Sequence, residues 1–182
     1  CSDCAVGQFT NGSVANPEAC DDCSPGKYED DVRSTFCKSC PSGRYGSTSK
    51  LRSLDECELC GLGLYNPGEK KTTAADCLAC GAGTYQANKG ESTCTSCGKG
   101  TFLSDDGTGG IELHNNKEDC QLCGAGTFFA STGASMCTNC PTGTYLGDDE
   151  NDVVGRHDEE SDCRICGAGK YSESAGAISE AT

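Results

Sequence analysis

The chain has 182 residues, a net charge of −14 and 18 cysteines, but only 23 residues of Leu, Ile, Val and Phe together. So few apolar side chains exclude an ordinary hydrophobic core, and a covalent or metallic constraint must take its place. The acidic balance argues against nucleic acid as a partner, and no apolar run approaches the roughly 18 residues of a membrane span.

One pattern, C-x-x-C-x-x-G-x-[FY], occurs nine times, in tandem repeats that start near residues 1, 20, 37, 57, 77, 94, 120, 137 and 163. A glycine follows the second cysteine of each pair by three positions: Gly7, Gly26, Gly43, Gly63, Gly83, Gly100, Gly126, Gly143 and Gly169. An aromatic residue comes two positions later: Phe9, Tyr28, Tyr45, Tyr65, Tyr85, Phe102, Phe128, Tyr145 and Tyr171. All 18 cysteines lie inside this pattern, which therefore indicates a tandem array of small structural units.

The segments between successive cysteine pairs have 15, 13, 16, 16, 13, 22, 13 and 22 residues and are rich in Ser, Thr, Asn and Gly. We expect each segment to form a short irregular β-hairpin, with the glycine at the chain reversal and the aromatic ring packed on the disulfide of its own loop. No segment has the 3.6-residue apolar period of a helix. The predicted fold class is a small disulfide-rich protein with little regular secondary structure, an elongated rod of tandem repeats.

The 16- and 22-residue segments share two features. Each ends in an acid that we expect to hydrogen-bond the nearby backbone, namely Glu56, Asp76, Asp119 and Asp162. Each also precedes a cysteine pair with a small apolar residue before its second cysteine, and we expect the segment to fold over that residue and bury it: Leu59, Ala79, Leu122 and Ile165.

Three disulfide schemes compete. Bonds within each C-x-x-C would cross-link poorly, and interleaving the pairs two by two would leave one of nine pairs without a partner. Joining the second cysteine of one pair to the first of the next closes every loop and leaves only Cys1 and Cys166 without a partner. Each disulfide that closes a loop of about 15 residues stabilises the fold by roughly 3 kcal/mol. This favoured scheme consists of Cys4–Cys20, Cys23–Cys37, Cys40–Cys57, Cys60–Cys77, Cys80–Cys94, Cys97–Cys120, Cys123–Cys137 and Cys140–Cys163.

Zinc is the main alternative to disulfides, because two C-x-x-C pairs at about this spacing are typical of a zinc ribbon. Nine pairs do not divide into four-cysteine sites, and zinc gives no reason for the repeated glycine and aromatic residue. Disulfides are therefore favoured, no cofactor is predicted, and a zinc-binding cysteine-rich protein remains a third hypothesis.

The two histidines, His114 and His157, lie in the two long acidic segments, beside acid runs such as Asp105-Asp106. We expect these segments to be solvated loops. No nucleophile, histidine and acid can be combined into a catalytic set from their spacing, so the prediction is that the protein is not an enzyme.

Two modification or ligand sites are weaker candidates. Asp148, Asp149 and Asp152 offer oxygen ligands for calcium, but no recognisable calcium-loop motif surrounds them and solvated charge is favoured. Asn11 begins the one N-glycosylation sequon, Asn-Gly-Ser.

The stretch from Cys123 to Cys140, CGAGTFFASTGASMCTNC, resembles the ephrin-receptor-like cysteine-rich repeat and the one-disulfide submodule of tumour-necrosis-factor-receptor ectodomains. The resemblance covers essentially the whole chain and implies bonds from the second cysteine of one pair to the first of the next. It also implies an elongated extracellular rod, as in receptor stalks, adhesion proteins and large surface proteins. Receptors alternate this submodule with more complex ones, whereas here it runs alone, which favours a structural role.

We therefore predict an extracellular structural protein that forms a rod or filament, such as a fibre, a flagellar-hair-like appendage, a stalk or a wall component. A receptor or adhesin ectodomain that binds a protein or a glycan is the alternative. The ninth loop has Gly169 and Tyr171 but no closing cysteine, and Cys1 of a following copy would complete it. The predicted partner is thus a second copy of the chain, joined head to tail either within one continuous polypeptide or as separate subunits linked by Cys166–Cys1 bonds.

Overall fold

The computed structural model describes residues 3–10, 19–147 and 154–181. Across these ranges the chain forms antiparallel two-stranded hairpins: β1 (Gln8–Thr10) with β2 (Cys20–Asp22), β3 (Lys27–Tyr28) with β4 (Lys38–Ser39), β5 (Arg44–Tyr45) with β6 (Glu58–Leu59), β7 (Leu64–Tyr65) with β8 (Leu78–Ala79), β9 (Thr84–Tyr85) with β10 (Thr95–Ser96), β11 (Thr101–Phe102) with β12 (Gln121–Leu122), β13 (Thr127–Phe128) with β14 (Thr138–Asn139), and β15 (Thr144–Tyr145) with β16 (Arg164–Ile165).

Short 3-10 helices are the only helical elements among the described residues: η1 (Leu54–Glu56), η2 (Ala74–Asp76), η3 (Ile111–His114), η4 (Lys117–Asp119), η5 (Val154–Arg156) and η6 (Glu160–Asp162). None of them is long and apolar enough to cross a membrane. The predicted class, a disulfide-rich repeat protein with only short hairpins, is confirmed.

The repeated pattern produces each hairpin directly. In the fifth repeat, the Thr84 N–H donates to the Gly81 carbonyl over 3.1 Å, and Gly83 has a φ of 75°. A positive φ at the third position of such a turn suits glycine. The chain leaves this turn as β9, which pairs with the two residues between the next two cysteines, so that Tyr85 lies opposite Thr95.

The chain divides into two compact units, residues 1–79 with 88–94 and residues 80–87 with 95–182. In the first unit, Tyr28 packs against a cluster of Cys40, Cys57 and Leu51. In the second unit, a cluster combines Phe128 and Leu146 with a disulfide: Cys140 and Cys163. Each cluster has a disulfide at its centre, which explains how the chain folds with so few apolar side chains.

The position of the aromatic rings differs from the prediction. Tyr28 follows the Cys23 pair, yet it packs against the disulfide of the following loop, Cys40–Cys57. The bridge between Tyr28 and Leu51 of the following loop accounts for this position, because Leu51 lies in the same cluster as Cys40 and Cys57. Phe128 packs in the same way on the disulfide of the following loop.

The terminal acids of the longer segments bond the local backbone as predicted. Their carboxylates accept N–H groups three or four residues earlier: Glu56 from Arg52 (2.6 Å), Asp76 from Thr73 (3.0 Å), Asp119 from Asn116 (2.9 Å) and Asp162 from Glu159 (2.9 Å). Backbone N–H groups, Thr73 first, hold the pKa of Asp76 below its ordinary value.

The predicted burial of the small apolar residues is wrong for three of the four. Leu59 is 42% exposed, Leu122 37% and Ile165 83%, while Ala79 is partly buried. Each acid closes its segment into a tight 3-10 turn on its own backbone, so the segment does not extend over the neighbouring strand.

Candidate functional site: the contacts between successive repeats

Disulfides close the loops. The bonds join the second cysteine of one pair to the first of the next: Cys4–Cys20, Cys23–Cys37, Cys40–Cys57, Cys60–Cys77, Cys97–Cys120, Cys123–Cys137 and Cys140–Cys163. Cys80 and Cys94 are disulfide-bonded as well. Cys166 has a free, partly buried thiol.

Two backbone hydrogen bonds tie the repeated glycine to the following repeat. In the fifth repeat the Gly83 N–H donates to the Leu103 carbonyl, just after the next aromatic residue, over 2.8 Å. The Gly83 carbonyl accepts the N–H of Cys97, the second cysteine of the next pair, over 2.8 Å. The same two bonds are present at Gly7, Gly26, Gly43, Gly126 and Gly143.

A further backbone link starts from residues in the left-handed conformation. Their N–H groups donate to the carbonyl of the second cysteine of the preceding pair over 2.7 to 2.9 Å: Arg33 to Cys4, Lys50 to Cys23, Lys70 to Cys40, Gly90 to Cys60, Gly133 to Cys97 and Gly176 to Cys140. Arg33, Lys50 and Lys70 have φ values of 63°, 65° and 59°. Because these three are not glycines, a search of the sequence for repeated glycines does not find this position.

The repeated glycine also touches the repeat after next. A Cβ on Gly7 would lie 2.6 Å from the Lys50 carbonyl oxygen, and one on Gly83 would lie 2.5 Å from the Gly133 carbonyl carbon. Gly26, Gly43 and Gly126 face Lys70, Gly90 and Gly176 in the same way. The glycine therefore serves two needs at once, a positive φ and the absence of a Cβ, and each such contact involves three successive repeats.

Buried polar side chains add a link back to the preceding repeat. Each donates to the carbonyl of the residue before an aromatic: Asn66 Nδ2 to Arg44 (3.0 Å), His114 Nδ1 to Thr84 (2.7 Å) and His157 Nδ1 to Thr127 (2.7 Å). All three donors are at most 1% exposed. The prediction that the histidines lie in solvated loops is therefore wrong. The outer edge of a two-stranded hairpin has backbone carbonyls without a strand partner, and the buried histidines donate hydrogen bonds to them.

An acidic side chain completes the arrangement at His114. Its Nε2 lies 2.8 Å from Asp105 Oδ1, which also accepts the Gly107 N–H over 2.8 Å. These hydrogen bonds, of which the one from His114 has the larger effect, hold the pKa of the Asp105 carboxyl below its ordinary value. Asp105 is therefore not a solvated loop tip. One sequence signal was available, since His114 and His157 both lie six residues before the cysteine that closes their loop.

The only group of three described acids close enough to hold a cation is Glu29, Asp30 and Asp31. The Lys38 ammonium already occupies this position, 3.5 Å from Glu29, 2.8 Å from Asp31 and bonded to Asp30. Hydrogen bonds to Asp30 and Asp31 raise the pKa of Lys38. Glu29 is fully buried and also accepts the Ser34 hydroxyl over 2.8 Å, so the cluster is an internal ion pair of the β3–β4 loop.

Three predictions fall outside the described residues. These are the calcium candidates Asp148, Asp149 and Asp152, the glycosylation site Asn11, and the bond to Cys1. They stay predictions.

Disulfide-closed hairpins, each bonded through its backbone to the next, define a cysteine-rich tandem-repeat protein of the kind found in extracellular or secreted ectodomains, because disulfides persist in oxidising compartments. A family model described as tyrosine-protein kinase ephrin type A/B receptor-like matches residues 12–57, 69–112 and 110–150, more than half of the chain. The chain belongs to this ephrin-receptor-like family, which confirms the predicted resemblance. No curated protein matches the chain significantly.

Proposed function

We propose that the chain is part of an extracellular, non-enzymatic structural protein whose repeats stack head to tail in a rod or filament. The main support for the proposal is that the repeated glycine contacts two following repeats. It forms hydrogen bonds with the next repeat and lies in close contact with the backbone of the repeat after that. The contact recurs within each unit, for example at Gly43 and at Gly126. Such a stack depends only on near neighbours and can be extended by adding repeats.

The proposed partner is a second copy of the chain, attached through Cys166. Cys166 N–H already donates to the Gly143 carbonyl over 3.1 Å, the same bond that the other second cysteines make. Its thiol is free, whereas the second cysteines of the seven assigned bonds each join the pair that follows. A disulfide between Cys166 and Cys1 of another copy is a head-to-tail contact, and such a contact produces an open filament unless the rotation closes a ring.

Non-reducing gel electrophoresis of protein oxidised at high concentration tests this proposal. We expect a ladder of multiples of 18.8 kDa that collapses to one band after reduction. Cys166→Ser and Cys1→Ser should each remove the ladder and allow dimers at most, through two Cys1 or two Cys166 thiols. Electron microscopy of the ladder material should show linear particles. A monomer in every sample, or a ladder unaffected by Cys166→Ser, would contradict the proposal.

A receptor or adhesin ectodomain is the second candidate, and the description of the matching family, which names a receptor, favours it. In that case ligand binding does not require the link through Cys166, and the Cys166→Ser variant should bind its ligand as well as the wild type does. A zinc-binding role is not proposed, because sulfur atoms joined in disulfides do not offer thiolates to the metal.

A further inference from the structure

A surface groove of about 540 Å³ lies between the fifth and seventh cysteine pairs, within the unit of residues 80–87 and 95–182. The half-buried ring of Tyr85 and the side chain of Leu122 form part of its wall, and Ser96 lies beside them. The Tyr85 hydroxyl makes no hydrogen bond within the described ranges, whereas the equivalent Tyr45 donates to Glu58 over 2.9 Å. The groove thus combines an aromatic surface with hydroxyl groups that are available to a ligand.

Two lysines make this groove positive. Lys99 and Lys117 both line it, both are exposed, and neither forms an ion pair with a described carboxylate. Glu118 is the one acid in the wall, so the formal charge of the lining is +1. The chain as a whole has 28 acids and 14 basic residues, and its Lys38, Lys50, Lys71 and Lys170 are all ion-paired.

The first repeats provide an internal comparison. The corresponding groove, beside Phe9 and Phe36, has about 290 Å³ and contains Asp21 and Asp22 in the places that Thr95 and Ser96 occupy in the later repeat. Ligand sites usually have about 300–1,000 Å³, so the later groove is large enough and the earlier one is at the lower limit. With Lys27 counted, the lining of the earlier groove has a formal charge of −1, against +1 for the later groove, so the repeat pattern alone does not fix the charge at this place.

We propose that the groove beside Tyr85 binds an acidic saccharide that contains a uronic acid. The carboxylate would lie between the Lys99 and Lys117 ammonium groups, and the apolar face of the sugar ring would pack on Tyr85, whose hydroxyl and that of Ser96 would bind sugar hydroxyls. The long-range repulsion from the chain's net charge is screened beyond about 8 Å at physiological ionic strength. This inference does not depend on filament assembly.

Titration of the intact, oxidised protein with a disaccharide that contains one glucuronic acid tests the proposal, with ¹H–¹⁵N NMR spectra as the readout. The methyl ester of the same disaccharide is the neutral control, and an aspartate-rich peptide is the second probe. At about 10 mM, a ligand with a millimolar Kd is largely bound. We expect saturating shifts of the Ser96, Lys99 and Thr101 amides with the acid and much smaller ones with the ester.

Lysine variants then locate the site. Lys99→Gln and Lys117→Gln should each raise the Kd about two- to fivefold, the range of exposed ion pairs. Lys89→Gln, at an exposed lysine outside the groove, should not change it. The absence of shifts at about 10 mM, equal binding of the ester, an equal effect of Lys89→Gln, or tighter binding of the acidic peptide would each overturn the proposal.

Discussion

Replacing Gly83 by alanine tests whether a repeat is held by both repeats that follow it. Gly83 has a φ of 75°, and a Cβ there would lie 2.5 Å from the carbonyl carbon of Gly133. The left-handed backbone costs an L-residue about 1–2 kcal/mol, and overpacking against a backbone group adds about 1–3 kcal/mol. We therefore expect Gly83→Ala to lower local stability by about 2–5 kcal/mol.

Two glycines of the same unit are matched controls. Gly143 has a φ of 81°, but a Cβ added there would have no atom of the described residues within 4 Å, so Gly143→Ala should cost only the backbone part, about 1–2 kcal/mol. Gly81 lacks both a positive φ and a close neighbour, so Gly81→Ala should change stability by no more than about 0.5 kcal/mol.

Amide hydrogen exchange under native conditions is the suitable assay, because a repeat array opens locally and a single unfolding midpoint does not report one contact. The Cys97 and Gly133 amides report on the contact at Gly83, and the Cys166 amide reports on Gly143. A loss of about 2–5 kcal/mol corresponds to exchange roughly 30-fold to several thousand-fold faster. Equal acceleration in Gly83→Ala and Gly143→Ala would refute the reasoning, because the contact with the third repeat would then have no energetic role.

Three further predictions concern other links. Hydrogen bonds, of which the one from the Thr73 backbone has the largest effect, lower the pKa of Asp76 from 3.8. The ionised Asp76 carboxylate should therefore stabilise the fold above pH 3.8, and this stabilisation should be lost as the pH falls through the lowered pKa. Amide exchange in η2 should show this pH dependence in the wild type and not in Asp76→Asn. His114→Phe removes the donor to a strand carbonyl, so exchange near β9 should indicate a loss of about 1–3 kcal/mol, and unchanged exchange would argue against the link. Replacing both Cys123 and Cys137 by serine should cost about 3 kcal/mol in that loop and its neighbours, whereas uniform loosening of every repeat would contradict local stability.

The sequence alone was enough to predict the fold class, because the features that define this class depend on residues that lie close together in the sequence. Nine C-x-x-C pairs, a glycine at each reversal and short polar segments favour small cross-linked hairpins when the apolar content is so low. The acids at the ends of the longer segments were also predictable, because Asp76 and its equivalents bond backbone only three or four residues away.

Contacts between different repeats could not be assigned from the sequence. Cysteine spacing does not say which disulfide Tyr28 contacts. Its bridge with Leu51 of the following loop brings it to the cluster of Cys40 and Cys57. His114 looks like a loop residue in an acidic segment until Thr84 of an earlier repeat is placed against it.

The sequence by itself determined the units of this protein, and the tertiary structure decided how each unit is held by its neighbours. Gly83 illustrates the division, because its turn follows from the pattern, while its contact with Gly133 exists only when two further repeats have folded. The physical reason is range: turns and loop closure depend on neighbouring residues, whereas close packing depends on where separate segments meet in space.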